Sequence, residues 1–368
     1  MRLFIPIFLM IQVLIMAYPP SGQSTLATKT EMPEFYGEYI WHNQAPLHKN
    51  NLVNQVVLVA FWNFSCAPCL HDVAYLKYFY DLYYHVDFQV IAIHTPDHDF
   101  ENNPDTVSAA LQRLGVKYAV VQDREDTLWN AYQARARPMY FLIDGRGRIR
   151  KSYTGHFSWG DVESNIRDLI IEKGAYLEEE PNLPKSPVDR SQVKTQDMTF
   201  GYESGGPMGN AKKLTANYPQ TFDEPETVFP NRFYLVGRWE AHRDFFRLLQ
   251  APGTLIVRYD ANGAQITANS RYAASPIRAE ILLDSHPVTE SDRGDDVEIK
   301  DGSSFLSMES ARIYLVTDHK DQYDDHVLRF NFEQSGIDIY QLTFGRLVLE
   351  KKKVEEKVED AIIDTEFV

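Results

Sequence analysis

Val56-Val57-Leu58-Val59-Ala60-Phe61-Trp62, followed closely by Cys66-Ala67-Pro68-Cys69, is the stretch from which the rest of the chain can be read. The first seven residues are an apolar, strand-like run, and the segment after Cys66 carries apolar residues at helical spacing. Two thiols separated by two residues therefore stand where a strand turns into a helix. They can close a small, reversible disulfide, and the helix N-terminus stabilises the thiolate that performs exchange. That chemistry is redox rather than stapling, because so short a loop constrains the unfolded chain little. The chain contains 2 cysteines in all. A structural zinc site takes four Cys or His ligands, and only His71 stands nearby, with no second CxxC. Covalent haem attachment needs His directly after the second cysteine, where this chain has Leu70.

Working outward, the helix after Cys66 places Leu70, Val73, Ala74, Leu76, Phe79, Tyr80 and Tyr83 so that one side can pack on a sheet. Phe88 to Ile93 reads as a buried strand, and Asn103-Pro104-Asp105 caps and starts a helix that runs to about Gly115. Tyr118 to Val121 and Met139 to Ile143 are further strands. A turn at Asp144-Gly145-Arg146-Gly147 lets Ile149 to Tyr153 return as a hairpin, and Val162, Ile166, Leu169 and Ile170 mark a last amphipathic helix. Alternating strands and helices make a mixed α/β domain over residues 27–175.

Residues 1–26 read as a signal peptide or N-terminal anchor: Arg2, an apolar run from Leu3 to Ala17, then Pro19, Pro20, Ser21 and Gly22. A cut after Ala17 is the preferred site, and the segment predicts a periplasmic or secreted protein. A formal charge of −15 and a pI near 5.2 exclude nucleic acid as a partner. Residues 176–197 form a linker, because Glu178 to Pro187 is charged, proline-rich and without periodicity. Beyond it, turn signals at Pro252-Gly253, Asn262-Gly263, His286-Pro287, Asp301-Gly302 and Ser335-Gly336 separate short β-rich runs. Leu328, Phe330 and Phe332 alternate with polar neighbours, which predicts a β-sandwich over 198–345. Residues 346–368 read as a charged tail.

Phe61-Trp62-Asn63-Phe64-Ser65-Cys66-Ala67-Pro68-Cys69, His94-Thr95-Pro96, Thr127-Leu128-Trp129-Asn130-Ala131-Tyr132 and Tyr140-Phe141-Leu142-Ile143-Asp144 resemble the thioredoxin-fold part of DipZ-like and TlpA-like thiol-disulfide oxidoreductases. Phe200-Gly201-Tyr202-Glu203, Leu235-Val236-Gly237-Arg238-Trp239 and Thr343-Phe344-Gly345 resemble the DipZ C-terminal domain. The resemblance implies an α/β thioredoxin-like domain followed by an all-β, jelly-roll sandwich similar to carbohydrate-binding modules. It also implies exported or membrane-tethered redox chemistry on protein thiols and disulfides. No multi-helix electron-transferring membrane domain stands ahead of the thioredoxin-like part, so a separate membrane electron donor is expected. The redox-active Cys66-Cys69 disulfide serves in place of any cofactor.

At the helix start the first cysteine is the exposed one, so Cys66 is the expected nucleophile and Cys69 the resolving thiol. Pro68 lacks an N–H that would otherwise help hold the Cys66 thiolate, which favours a reductase over a strong oxidant. Ala60 replaces the buried acid of thioredoxin. Asp72, one helical turn beyond Cys69, is the candidate proton relay, a solvated surface aspartate being the alternative. The resemblance makes Pro138 the cis-proline that faces the disulfide. Arg137, where relatives carry an aromatic residue, would place a cation able to depress the Cys66 pKa. Trp62, Ala67, Pro68 and Arg137 are the expected substrate contacts, with Trp62 beside the disulfide.

His94 and His98 are four apart, but Thr95-Pro96 interrupts the helix a shared metal would need. His94 is expected to end a buried strand and hydrogen-bond locally. In the second half Trp239, Tyr259, Tyr272 and Tyr314 are either core or a platform for a glycan. The clusters Asp292, Asp295, Asp296 and Asp318, Asp321, Asp324, Asp325 offer oxygen-rich loops that suit calcium, but neither has EF-hand spacing, and ordinary solvated loops are the default reading. Two function classes stay open: a thiol-disulfide oxidoreductase, or a binding protein whose sandwich takes a glycan or protein ligand and whose thioredoxin-like domain is only a scaffold.

Overall fold

The computed structural model describes residues 30–177, 181–184, 190, 192–203, 206–211, 213–270 and 275–349. The leader-like segment, most of Glu178 to Pro187, Tyr272 and the tail beyond 349 lie outside the described residues. No helix among the described residues is long and apolar enough to cross a membrane.

The first half is built on β1 (Ile40–His42), β2 (Val56–Trp62), α1 (Ala67–Tyr83), β3 (Phe88–His94), α2 (Pro104–Leu114), β4 (Ala119–Gln122), α3 (Thr127–Ala131), β5 (Met139–Ile143), β6 (Ile149–Thr154) and α4 (Trp159–Glu172). Its sheet has the order β1-β4-β3-β2-β5-β6. Strands β2, β3 and β4 are parallel, while β5, β6 and β1 run against their neighbours. Every residue of β2 is buried, as a continuous apolar run in the middle of a sheet covered on both faces requires. Its alternate residues divide between two cores. Val56, Leu58, Ala60 and Trp62 face the helices α1 and α4, and Val57, Val59 and Phe61 face Leu128, Tyr132 and the N-terminal segment.

The second half is a β-sandwich closed nearly into a barrel. Its strands are β7 (Met198–Thr199), β8 (Pro219–Phe222), β9 (Arg232–Ala241), β10 (Phe246–Ala261), β11 (Gly263–Asn269), β12 (Ile277–Leu283), β13 (His286–Pro287), β14 (Val297–Lys300), β15 (Ser303–Met308), β16 (Arg312–Asp318), β17 (Asp324–Phe332) and β18 (Asp338–Phe344). The main path runs β14-β15-β12-β17-β10-β18-β11-β16. The long strand β10 turns the corner: Phe246 and Arg247 pair with β18, whereas Gly253 to Ala261 pair with β17, and the register against β9 shifts between Leu248 and Thr254. Leu328, Phe330 and Phe332 point into the core, as their alternation predicts.

The structure corrects several expectations for this half. Trp239, Tyr259 and Tyr314 are fully buried, so none of the three can stack on a sugar. They fill the space between the sheets, the ordinary place for large rings on inward positions. The aspartates of the two clusters engage cations and backbone instead of converging. Asp296 binds Arg312 and the Leu315 N–H, Asp318 binds Lys320 and Arg346, and Asp325 binds Arg258. Among the described residues no group of three or more such side chains is placed to hold a metal ion. Finally, Leu347, assigned by sequence to a charged tail, is only 5% exposed. With Ile313, Leu315 and Tyr340 it joins the apolar core that contains α1, so the chain just after β18 seals the two halves together.

Candidate active site

Cys66 caps α1 from an extended conformation and Pro68 occupies its first turn. The Cys69 N–H donates to Cys66 Sγ at 3.2 Å, and the two sulfurs are joined as a disulfide. Cys66 is half-buried, whereas Cys69 is 1% exposed. An attacking partner can therefore reach one sulfur and not the other. Ala67 is buried and Pro68 half-buried, so of these two the proline ring is the part open to a bound chain.

Met139 pairs with Phe61, which puts Pro138 across from the end of β2, on the edge where Cys66 emerges. The Arg137-Pro138 bond is cis. Arg137 does not serve as the free cation expected beside Cys66. Its guanidinium pairs with Asp97, donates to Thr95 Oγ1 at 3.1 Å and lies over the Trp129 ring at 4.8 Å. The carboxylate offsets its charge and so weakens any pull on the thiol. Trp62 is likewise not a substrate surface: it is buried on the helix side of β2 and meets the His94 ring edge-on. His94 does end a buried strand. However, its ring nitrogens have no side-chain partner among the described residues, and Phe64 stacks on it at 5.5 Å. Burial pushes its pKa down to about 3.

Asp72 is partly buried at the foot of the first turn of α1, not a solvated surface residue. Its carboxylate accepts from Tyr140 Oη at 2.6 Å and from Trp159 Nε1 at 3.3 Å. Burial raises its pKa to about 6, against the opposing effect of those two hydrogen bonds. Tyr140 comes from β5, two residues past Pro138, and Trp159 opens α4, so three elements converge on this one carboxyl.

A second carboxylate escaped the sequence reading. Glu101 is fully buried on the loop after β3, and its Oε1 accepts from Ser65 Oγ at 2.6 Å. Its Oε2 accepts from the backbone N–H of Asp97 at 2.6 Å and of His98 at 3.0 Å. Burial raises its pKa, opposed by His98 and these hydrogen bonds. The one local signal is its place three residues after His98, the spacing of a capping box at a helix start.

Residues 28–170 match the family model described as Redoxin, and residues 195–345 match that of the thioredoxin-like C-terminal domain. The chain is 27% identical over 229 residues to Protein DipZ of Mycobacterium bovis, which covers 59% of this chain and 32% of that protein. It is 26% identical over 113 residues to the thiol-disulfide oxidoreductase ResA of Geobacillus thermodenitrificans, covering 31% of this chain and 62% of ResA. The chain thus spans about a third of the DipZ relatives it matches. A solved structure titled as a thiol:disulfide interchange protein DsbE from Chlorobium tepidum is 20% identical, with a TM-score of 0.34, over 40% of this chain and 99% of that one. The chain carries a redoxin domain followed by a thioredoxin-like C-terminal domain; it is similar to DipZ over 59% of its length and to the thiol-disulfide oxidoreductase ResA over 31%.

Proposed function

We propose that this protein is an exported thiol-disulfide oxidoreductase that reduces disulfides in other proteins. The observation that carries this reading is the asymmetry of the pair, a reachable Cys66 at a helix N-terminus and a covered Cys69 one turn away. In the reduced enzyme the Cys66 thiolate attacks a substrate disulfide, forming a mixed disulfide and expelling one substrate thiolate. Cys69 then loses its proton and attacks Cys66 Sγ. The Cys66-Cys69 disulfide closes, the second substrate thiolate leaves, and two electrons have passed to the substrate. Asp72, one turn from Cys69, accepts the Cys69 proton directly or through water, a task suited to a carboxyl tuned to about 6. Pro138 and Pro68 border the reachable sulfur and would receive the substrate backbone. A membrane dithiol donor, separate from this chain, returns the electrons. Export rests on the leader-like residues 1–26.

Pro68 supports the reductase direction, since it withholds one donor from the Cys66 thiolate and so leaves the reduced form less stabilised. The test is the reduction potential of the full chain in glutathione and dithiothreitol buffers, followed by tryptophan fluorescence, with Cys66→Ser and Cys69→Ser as controls. The expected value is near that of thioredoxin, roughly −270 mV. A value near −120 mV would make the protein an oxidant, and no reversible couple would remove the redox reading.

A further inference from the structure

We propose that Glu101 is a positioning residue that ties the reactivity of Cys66 to the docking of the β-rich domain. The inference rests on the redox reading above and adds a control to it.

The carboxylate stands between the disulfide and the β-rich domain, on a route separate from the apolar core that α1 shares with that domain. On one side it holds Ser65, the residue directly before Cys66. On the other it holds the His98 N–H, and the His98 ring reaches into the second domain. There Nδ1 lies 2.8 Å from Asp244 Oδ2, in the turn between β9 and β10. Tyr340 of β18 packs on both His98 and Phe100, at 4.8 Å and 4.9 Å. The same loop touches both flanks of the disulfide. Asp97 accepts from Asn63 Nδ2 at 2.9 Å and pairs with Arg137, the residue before Pro138.

The capping box accounts for a carboxylate at this place on the loop, and its burial gives the charge a further consequence. Among the described residues no lysine or arginine pairs with Glu101, and a buried carboxylate without a cation is costly to keep. In its ionised form, next to Ser65 and so close along the chain to Cys66, this carboxylate would repel a second anion, the Cys66 thiolate, keeping the thiol protonated and the couple reducing. The charged or titratable groups facing it are His98 and Asp97 on its own loop, Arg137 through Asp97, and Asp244 from the β-rich domain. Docking covers His98 and Phe100, which like Glu101 are buried on this loop. Release of the Asp244 contact would admit water, screen the carboxylate and make Cys66 easier to ionise.

The test uses the full chain, its Asp244→Asn, Glu101→Gln and Ser65→Ala variants, and the Asp244→Asn/Glu101→Gln double variant. Two quantities are read: the equilibrium with glutathione, and the pH midpoint of Cys66 alkylation by iodoacetamide in the reduced form. We expect Glu101→Gln to make the couple less reducing, changing the equilibrium constant about tenfold, or about 30 mV, and to lower the alkylation midpoint. Asp244→Asn should shift both in the same direction by about threefold, with little added change in the double variant. Should Asp244→Asn leave both quantities at their unsubstituted values, or should the two effects simply add, the coupling is wrong. If Glu101→Gln does not fold, Asp244→Asn and Ser65→Ala decide by the same criterion. A chain with no reversible couple at all would overturn the redox reading and this inference with it.

Discussion

Asp72 shows how one side chain can acquire a use from its surroundings. Tyr140 and Trp159 hold its two oxygens while burial raises its pKa to about 6. Near neutral pH it can therefore both take and return a proton. Asp72→Asn should slow the Cys69-dependent step roughly hundredfold and erase the limb of the pH-rate profile near 6, as read by stopped-flow fluorescence. Stability changes with it. A carboxyl whose folded pKa lies above its unfolded value of about 4 favours the fold while protonated, and that advantage is lost as pH rises from about 4 to about 6. The asparagine variant should lack this decline in urea titrations. His94 has the opposite sign. Its folded pKa of about 3 lies below the free value of about 6.5, so stability is intact at neutral pH and falls as pH drops through that window. His94→Leu should flatten the fall, and a variant as acid-sensitive as the parent would show that His94 is not its source. The cysteines, Pro138 and Asp72 were legible because they lie at fixed offsets along a strand, a helix or a matched motif. Glu101 was not, since its partner Ser65 is 36 residues away and an isolated glutamate in a polar stretch reads as solvated surface. Arg137 was misread for the same reason, its meaning being set by Asp97.

The helix start is where local rules carried furthest. Cys66 as cap, Pro68 in the first turn and buried Leu70, Val73, Leu76, Phe79 and Tyr83 are what the spacing predicts, because a helix over a sheet must bury one stripe. Only two orphan N–H groups of this first turn matter to the sulfur, those at positions 68 and 69, and proline deletes one. Pro68→Ala should therefore give the Cys66 thiolate a second donor. Helix-terminal interactions of this kind are worth about 0.3–1 kcal/mol, so the Cys66 pKa should fall by roughly half a unit and the couple become less reducing. An unchanged alkylation midpoint would place the control of the thiolate elsewhere than in the helix end. Trp62 marks the limit of element-level reading. The strand is legible in its run of apolar residues, but which face each residue takes depends on which helices cover the sheet, and Trp62 falls on the α1 side, in the same core as Cys69, buried and closed to a substrate.

The change of texture near residues 176–197 reads as a break between two domains, but nothing in it speaks of the contact between the two halves. Interfaces are made of residues from distant strands, and nothing in a local window distinguishes Ile313, Leu315 or Tyr340 from ordinary core positions. Leu347 was concealed further by the charged residues that follow it. These four side chains nevertheless sit in one apolar core with Leu70, Val73 and Phe79 of α1, and Val348 and Leu349 continue along Leu70, Val73 and Ala74. A shared apolar core of this kind predicts that the two domains unfold as one cooperative unit. Truncating a buried leucine removes about 2–5 kcal/mol, and a charge in its place opposes docking outright. Leu347→Ala should lower the melting temperature of a single calorimetric transition. Leu347→Asp should split that transition into two, with Trp62 and its neighbours reporting one and Trp239 the other. Two well-separated transitions in the unsubstituted chain would mean the domains fold independently, and the route from Asp244 to Cys66 would then lack the rigid seat it requires.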